Sequence, residues 1–126
     1  MVSWFLNFFE KNLVFSWLVT IIIAILNFYI SSLTFAPGKG GGYLSYIYHF
    51  TAFSYLTLFL LISLSGGKRS NLIFLSVMLT IIYGIIDEIH QHFVPGRYSS
   101  FNDILINSLG ILITSIAYVN YCNKRQ

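Results

Sequence analysis

Residues 13–35, LVFSWLVTIIIAILNFYISSLTF, form an unbroken run of 23 residues without a charged side chain. A helix needs about 20 apolar residues to cross the hydrocarbon core of a bilayer. The run is therefore long enough to be a transmembrane helix. It is longer than the roughly 7–15 apolar residues of a cleaved signal peptide, and no small-residue cleavage pattern follows it. We interpret it as the first membrane span.

The segment before this run, MVSWFLNFFEKN, is too short to cross a membrane. Its aromatic side chains fall at helical spacing along one side, at Trp4, Phe5, Phe8 and Phe9, with Glu10 and Lys11 closing the segment. A short helix with one apolar face is typical of a helix that lies in the membrane interface. We expect such an interfacial helix at the N-terminus.

Three further apolar segments follow the first span, and short polar or glycine-rich turns separate them. The predicted spans cover about residues 13–35, 43–64, 71–93 and 101–121. The turns between them are PGKGGGY (37–43), SGGKRS (65–70) and VPGRYSS (94–100). Ser99, Ser100 and Asn102 are each suitable N-caps for the last span. The sequence thus predicts an all-α membrane protein, with residues 1–126 forming one domain, a bundle of four transmembrane helices.

The composition excludes a soluble globular protein, since 56% of the residues are hydrophobic and only 9% are charged. The single cysteine, Cys122, excludes an internal disulfide framework and any multi-cysteine zinc or redox motif. It is either an inert residue at a helix end or a lipid attachment point. The seven Lys and Arg residues flank apolar runs, which indicates membrane topology rather than nucleic-acid binding.

The positive charges also predict the orientation in the cell membrane. Four spans put both termini and the 65–70 turn on one side, which carries Lys11, Lys68, Arg69, Lys124 and Arg125. The other side carries only Lys39 and Arg97. Positively charged residues concentrate on the cytoplasmic side of membrane proteins. We therefore expect cytoplasmic termini and an extracytoplasmic loop at residues 94–100.

One polar stretch stands out, DEIHQHFVPGRYSSFND at residues 87–103. It holds three of the four acidic residues, two of the three histidines and Arg97. Ionisable groups are costly near lipid, so such a concentration indicates a functional site. His49 lies about 9 Å along the second span from its outer end, since each helical residue adds about 1.5 Å. Counting along the spans in this way places five polar residues at a similar depth, in one layer of the outer leaflet. They are His49, Asp87, Glu88, Asp103 and Asn107.

Within this layer, Glu88, His49 and Asp103 are the candidates for catalysis. A partly buried carboxylate such as Glu88 suits a general acid or base, although pairing with Arg97 or His49 would give it a structural role. His49 is either a proton carrier or a hydrogen-bonded packing residue. Asp103 also fits the first turn of a helix, where a carboxylate favours the helix dipole.

The candidates for substrate binding are Arg97, Gln91, Asn107, Asp87 and His92. Arg97 can bind a phosphate in a bidentate way, or anchor the loop at the lipid head groups. Gln91 and His92 share a helix face with Glu88, at spacings of three and four residues. Glu88, His92, His49 and Asp103 could supply a mixed metal site, but no HExxH motif and no histidine pair at a ligand spacing is present, so neither a metal nor a cofactor is predicted.

The segment D-E-I-H-Q-x-F-V-P-G-R closely resembles the VanZ-like family of small membrane proteins. The likeness continues with an Asp at the start of the next helix, Asp103, and with N-x-x-G from Asn107 to Gly110. It also includes H-F-x-x-F in the second span, from His49 to Phe53. Two positions depart from the pattern. Residues 45–48 replace an acidic–basic pair, and Thr114 replaces a second glycine.

The resemblance implies a bacterial or archaeal integral membrane protein without a settled chemistry. A member of the family is linked to resistance to the glycopeptide teicoplanin, whose target is an outward-facing cell-wall precursor. By similarity, the site residues are His49, Glu88, Gln91, Arg97, Asp103, Asn107 and Gly110.

The functional hypothesis is an outward-facing polar pocket that binds an envelope lipid or a lipid-linked cell-wall precursor. Chemical modification of that lipid is left open, so the sequence does not decide whether the protein is an enzyme. Membrane lipids are the expected partners, and nucleic acid is not. Two alternatives also stay open, a membrane assembly or partner-binding protein and a small transporter or proton relay. The cytoplasmic halves of the spans carry no charged residue, which argues against transport.

Overall fold

The computed structural model describes residues 2–34, 42–68, 71–97 and 99–125, and this part of the chain contains no β-strand. Its five helices are α1 (Val2–Lys11), α2 (Leu13–Ser31), α3 (Tyr43–Ser65), α4 (Leu72–Phe93) and α5 (Phe101–Asn123). Helices α2 to α5 are long and apolar enough to cross a membrane, and α1 is the short N-terminal helix. The predicted all-helical fold with four candidate spans is confirmed.

The first span is shorter in the structure than in the sequence-based prediction. Helix α2 ends at Ser31, whereas the prediction carried it to residue 35. The hydroxyl of Ser32 donates a hydrogen bond to the carbonyl of Phe28, at 2.8 Å, and caps this end. A serine that bonds to the preceding turn favours a helix terminus. Phe35, Lys39, most of the 37–43 turn, and Arg69 lie outside the described residues.

Two other helix ends follow from local chemistry. Gly66 adopts a left-handed conformation (φ +56°) after α3, and its N–H donates to the carbonyl of Ile62 at 2.9 Å. Glycine is favoured there because it has no Cβ. At the start of α5, the side chain of Ser100 accepts a hydrogen bond from the N–H of Asn102 at 3.2 Å. Of the three predicted N-caps, Ser100 is the one that the structure uses.

Helices α2 and α4 bury small and polar residues and expose large apolar ones, whereas the central α3 also buries large apolar side chains such as Phe53 and Leu61. The buried residues of α2 are Ser16, Thr20, Asn27 and Ser31. Those of α4 are Ser76, Thr80, Gly84, Asp87, Glu88 and Gln91. Large aliphatic side chains of the same helices face outward, such as Ile25 (62% exposed) and Ile86 (55%). Small and polar residues between helices and apolar residues outside are expected in lipid, where apolar surface needs no burial.

Helix α3 is the centre of the bundle and packs against each of the other helices. At one end, Leu6 of α1 joins a buried cluster with Leu61, Ile62, Tyr118 and Cys122. The short N-terminal helix is therefore present and packs against the bundle, while its position in the membrane interface stays a prediction. The predicted aromatic side divides between the two environments: Trp4 and Phe8 face outward, while Phe9 packs edge-on against Phe59 of α3.

A close approach of α5 to α3 sets the geometry of the opposite end. A Cβ atom on Gly110 would lie only 2.7 Å from the backbone oxygen of Phe50. Only a glycine lets the two backbones come this near. Gly110 lies about one turn from Asn107, and Phe50 follows His49. The contact therefore brings the polar residues of α3 and α5 together.

Candidate functional site

Three buried side chains from three helices meet at the end of the bundle that includes the α4–α5 loop. His49 comes from the first turns of α3, Glu88 from the last turns of α4 and Asp103 from the first turn of α5. They are 2%, 3% and 6% exposed, respectively. One potential ligand atom from each lies within 4.8 Å of the others. We call this group the acid–histidine cluster.

The imidazole of His49 is the centre of the acid–histidine cluster. Its Nδ1 lies 3.1 Å from Oδ1 of Asn107, a hydrogen bond between α3 and α5. The same nitrogen is 3.9 Å from Oε1 of Glu88, and Nε2 is 4.0 Å from Oδ2 of Asp103. The last two distances are too long for hydrogen bonds, whose usual range is about 2.7–3.2 Å.

Several polar atoms of the site are buried without a hydrogen-bond partner among the described residues. They include both carboxylate oxygens of Glu88, Oδ1 of Asp103 and Nδ2 of Asn107. The backbone of Ser100 interacts favourably with the Glu88 carboxylate, short of a full hydrogen bond. A buried polar atom without a partner costs roughly 1–3 kcal/mol. Such a set of open acceptors, with one open donor, is a place where a ligand can bind.

Asp87 and Gln91 form a separate pair beside this cluster. The Gln91 amide donates to Oδ2 of Asp87 at 2.9 Å, one turn apart on α4. Both side chains are buried, at 4% and 2% exposure. The structure thus places these two predicted substrate-binding residues against each other.

Arg97 supplies the positive charge in this layer. It follows Pro95–Gly96, and its N–H donates to the carbonyl of Val94 at 3.1 Å. Its charge acts favourably on both Glu88 and Asp103. Asp87 is the third acid, so the described residues of this layer include one guanidinium and three carboxylates.

The two histidines of α4 lie outside the acid–histidine cluster. His90 stacks on Phe28, with ring centroids 4.4 Å apart, and its Nε2 lies 2.9 Å from the hydroxyl of Ser32. It therefore connects α4 to α2. His92 is exposed, and its Nδ1 is 3.4 Å from the hydroxyl of Ser99 in the loop.

An apolar groove of about 380 Å³ runs between α4 and α5 and reaches the acid–histidine cluster. We call it the α4–α5 groove. Its walls are the exposed side chains Ile85, Ile89, Phe93 and Phe101 and the half-buried Ile104. Glu88 lies at its base, and His92, Ser99 and Ser100 complete the lining. The groove opens on the apolar outer surface, where Ile89 is 55% and Phe101 71% exposed.

A second groove was not predicted from the sequence. It has a volume of about 270 Å³ and lies between α2 and α3. The buried Asn27 lines it and accepts a 3.3 Å hydrogen bond from the hydroxyl of Tyr48. The sequence did contain one indication of this groove, an asparagine inside an uncharged span. Polar side chains at that depth usually hydrogen-bond to another helix.

The four long apolar helices and this buried layer of ionisable groups are the features of a helical membrane protein with a buried polar site. The family model VanZ/LLP1 matches residues 2–122, nearly the whole chain. The chain therefore belongs to the VanZ family. No curated protein and no solved structure matched the chain in the corresponding comparisons.

Proposed function

We propose that this VanZ family protein binds an envelope lipid, with the polar head group at the acid–histidine cluster and the hydrocarbon chain in the α4–α5 groove. The observation that carries this proposal is the position of Glu88. Its carboxylate is part of the buried cluster and also lies at the base of an apolar groove that opens on the outer surface. A polar site joined to an apolar groove suits a molecule that is polar at one end and apolar at the other.

The chemistry of the groove supports a lipid chain as its occupant. The five wall residues are aliphatic or aromatic, and they lie on helices long enough to span a membrane. The polar lining, His92, Ser99 and Ser100, is confined to the end near the α4–α5 loop. A lipid with its chain along α4 and α5 would therefore present its head group at this end.

The cluster can recognise a head group through donors, acceptors and charge. The open carboxylate oxygens of Glu88 and Asp103 accept hydrogen bonds from hydroxyl or amino groups. Nδ2 of Asn107 can donate one. Arg97 offers a planar fork for a phosphate. A head group with both a phosphate and hydroxyl or amino groups would match all of these partners.

Modification of the bound lipid is the enzymatic form of the proposal. In that form, Glu88 accepts or donates a proton at the head group, and His49 orients or relays it. Asp103 and Asn107 form the opposite wall. The family resemblance makes a lipid-linked cell-wall precursor the first class to test. In the predicted orientation, the α4–α5 loop faces the extracytoplasmic side, where such precursors are exposed.

Native mass spectrometry of gently extracted protein tests the lipid proposal. Ile89→Trp should fill the α4–α5 groove and remove a co-purifying lipid that the wild-type protein retains. Ile86→Trp is the matched control, because Ile86 is equally exposed, at 55%, but does not line the groove. Glu88→Gln should weaken lipid retention at the head-group end while the protein remains abundant in the membrane.

Two results would contradict the proposal. In the first, wild-type protein retains no lipid beyond what Ile89→Trp retains. In the second, Glu88→Gln removes the protein from the membrane, which would favour the assembly alternative, in which the polar residues only hold helices together.

A further inference from the structure

The hydrogen bond between His49 and Asn107 determines which nitrogen of His49 is free. Nδ1 of His49 lies 3.1 Å from Oδ1 of Asn107, and an amide oxygen only accepts hydrogen bonds. Nδ1 therefore carries the hydrogen in a neutral ring, and Nε2 has an unshared electron pair. Metal-binding histidines commonly donate their other ring N–H to an oxygen in this way, which fixes the tautomer.

The free nitrogen faces another electron-pair donor instead of a hydrogen. Nε2 of His49 lies 4.0 Å from Oδ2 of Asp103, beyond hydrogen-bonding distance. Two acceptors that face each other in a buried site repel unless a positive species lies between them. Metal–nitrogen and metal–oxygen distances of about 2.0–2.2 Å put two ligands of one ion roughly 3–4 Å apart. The observed separation is at the upper end of that range.

Glu88 provides an independent observation beside His49, since its Oε1 lies 3.9 Å from Nδ1 of the imidazole, the nitrogen that bonds to Asn107. The Glu88 side chain is 4% exposed, and neither carboxylate oxygen has a hydrogen-bond partner among the described residues. One of its oxygens belongs to the set of ligand atoms within 4.8 Å of one another. The neighbouring carboxylate of Asp87 differs in that its Oδ2 receives the Gln91 amide, while its Oδ1 has no partner among the described residues.

The charge of the layer favours a divalent cation. When His49 is neutral and Asp87, Glu88 and Asp103 are all ionised, the described residues of this layer carry three negative charges against one guanidinium, which leaves two negative charges uncompensated in side chains buried within candidate membrane spans. Uncompensated buried charge is strongly unfavourable. One divalent ion would neutralise it and would also reduce the repulsion between these carboxylates and a phosphate-bearing head group.

We propose that His49, Glu88 and Asp103 bind one divalent transition-metal ion, with Asn107 holding the imidazole in the metal-binding tautomer. One imidazole nitrogen with carboxylate oxygens matches the ligand preferences of Mn²⁺ and Zn²⁺. The polar lining of the groove next to Glu88, formed by His92, Ser99 and Ser100, gives the ion a path into the site from the α4–α5 loop. This proposal does not depend on the lipid proposal, since the ligands come entirely from the protein.

Binding of Mn²⁺ to the chelator-treated full chain in detergent tests the metal site, with electron paramagnetic resonance as the readout. We expect one bound Mn²⁺ per chain. His49→Gln, Glu88→Gln and Asp103→Asn should each weaken binding by roughly 100-fold or more, since loss of an outer-shell partner alone costs about 10- to 100-fold. Asn107→Ala should fall in that smaller range. Asp87→Asn is the matched control, because it removes an equal charge from the same layer but no ligand.

A second measurement keeps the test valid if a ligand variant fails to fold. In protein labelled with ¹⁵N-histidine, electron spin echo modulation of bound Mn²⁺ should show one coordinated imidazole nitrogen. The signal should persist in the His90→Gln/His92→Gln double variant, which retains only His49. Absence of Mn²⁺ binding by the wild-type chain, absence of the nitrogen signal, or equal weakening by Asp87→Asn would overturn the proposal. Lipid retention measured on the same samples reports separately on the lipid proposal.

Discussion

Both ends of the bundle bury ionisable groups, but the acids at the two ends differ in their hydrogen-bond partners. At the end near α1, Oε2 of Glu10 pairs with Arg125, while Oε1 has no hydrogen-bond partner among the described residues. Arg125 also donates to the hydroxyl of Tyr121 at 2.8 Å. At the α4–α5 loop end, both oxygens of Glu88 are without a hydrogen-bond partner among the described residues. A paired acid stabilises the fold, whereas an acid with open acceptors costs stability. The first end has the features of a structural joint and the second those of a binding site.

At the α1 end, the hydroxyl of Tyr118 forms hydrogen bonds to two groups near the end of α3. It accepts a hydrogen bond from the N–H of Gly67 and lies 3.0 Å from the hydroxyl of Ser65. Ser65 itself donates to the carbonyl of Leu61 at 2.7 Å, so Tyr118 is the donor to Ser65. One side chain of α5 thus holds the end of α3. Among the residues that the structure describes, Glu88 at the other end receives no such hydrogen bond.

The largest effect is expected where packing, rather than hydrogen bonding, holds the loop end together. Gly110→Val would force side-chain atoms against the Phe50 backbone, 2.7 Å from the new Cβ, and separate α3 from α5. We expect a loss of about 3 kcal/mol of stability, measured by thermal unfolding in detergent. Ala117→Val, on an exposed face of α5, should change stability by less than about 0.5 kcal/mol. Equal stability of the two variants would show that the close approach does not hold this end.

Tyr118→Phe tests the α1 end in the same assay. It removes a hydroxyl that bonds to two groups in a residue that is 2% exposed. Leaving these partners unpaired should cost about 2 kcal/mol. Tyr55→Phe is the control, since Tyr55 is 59% exposed. A cost for Tyr118→Phe no greater than that of the control would show that the α1 end is not held by this hydroxyl.

A direct test of the comparison is to neutralise one acid at each end. Glu10→Gln should lose about 1 kcal/mol of stability, a modest effect because its partner Arg125 is 42% exposed. Glu88→Gln should unfold at the same temperature as the wild type or higher, because it removes a buried charge without a hydrogen bond. Thermal unfolding of both variants in metal-free detergent provides the measurement. If Glu88→Gln is the less stable variant, the contrast between the two ends is wrong.

The smallest effect is expected at His90, which belongs to the α2–α4 contact and not to the acid–histidine cluster. His90→Gln removes its stacking on Phe28 and should cost about 0.5 kcal/mol. It should leave both lipid retention and Mn²⁺ binding unchanged. His92→Gln, at an exposed position, is the control for stability. A loss of Mn²⁺ binding in His90→Gln would place this residue in the site.

The sequence predicted the helices well because their signals are local. Long uncharged runs indicate spans, and Pro95 and Gly66 lie at helix ends. The common depth of His49, Glu88 and Asp103 also followed from counting along the helices. Whether they face one another depends on helix rotation, which close contacts such as Gly110 with Phe50 determine. That information is absent from spacing along a single helix.

Contacts between distant segments were beyond sequence reasoning. Glu10 and Arg125 are 115 residues apart, and Glu10 was predicted only to close the first helix. The convergence of the proposed metal ligands could not be read from the sequence for the same reason. No local ligand motif exists, because each of the three proposed ligands comes from a different helix. The Asp87–Gln91 pair, one turn apart, is the kind of contact that helical spacing can predict.

The lateral opening of the α4–α5 groove determines how any lipid would reach Glu88. A lipid could enter by diffusing within the plane of its leaflet, with its chain remaining in hydrocarbon throughout. Occupancy would then follow the mole fraction of that lipid in the leaflet and not its concentration in water. Water-soluble analogues that lack the chain should be poor ligands, because they forfeit the apolar contacts with Ile89 and Phe101.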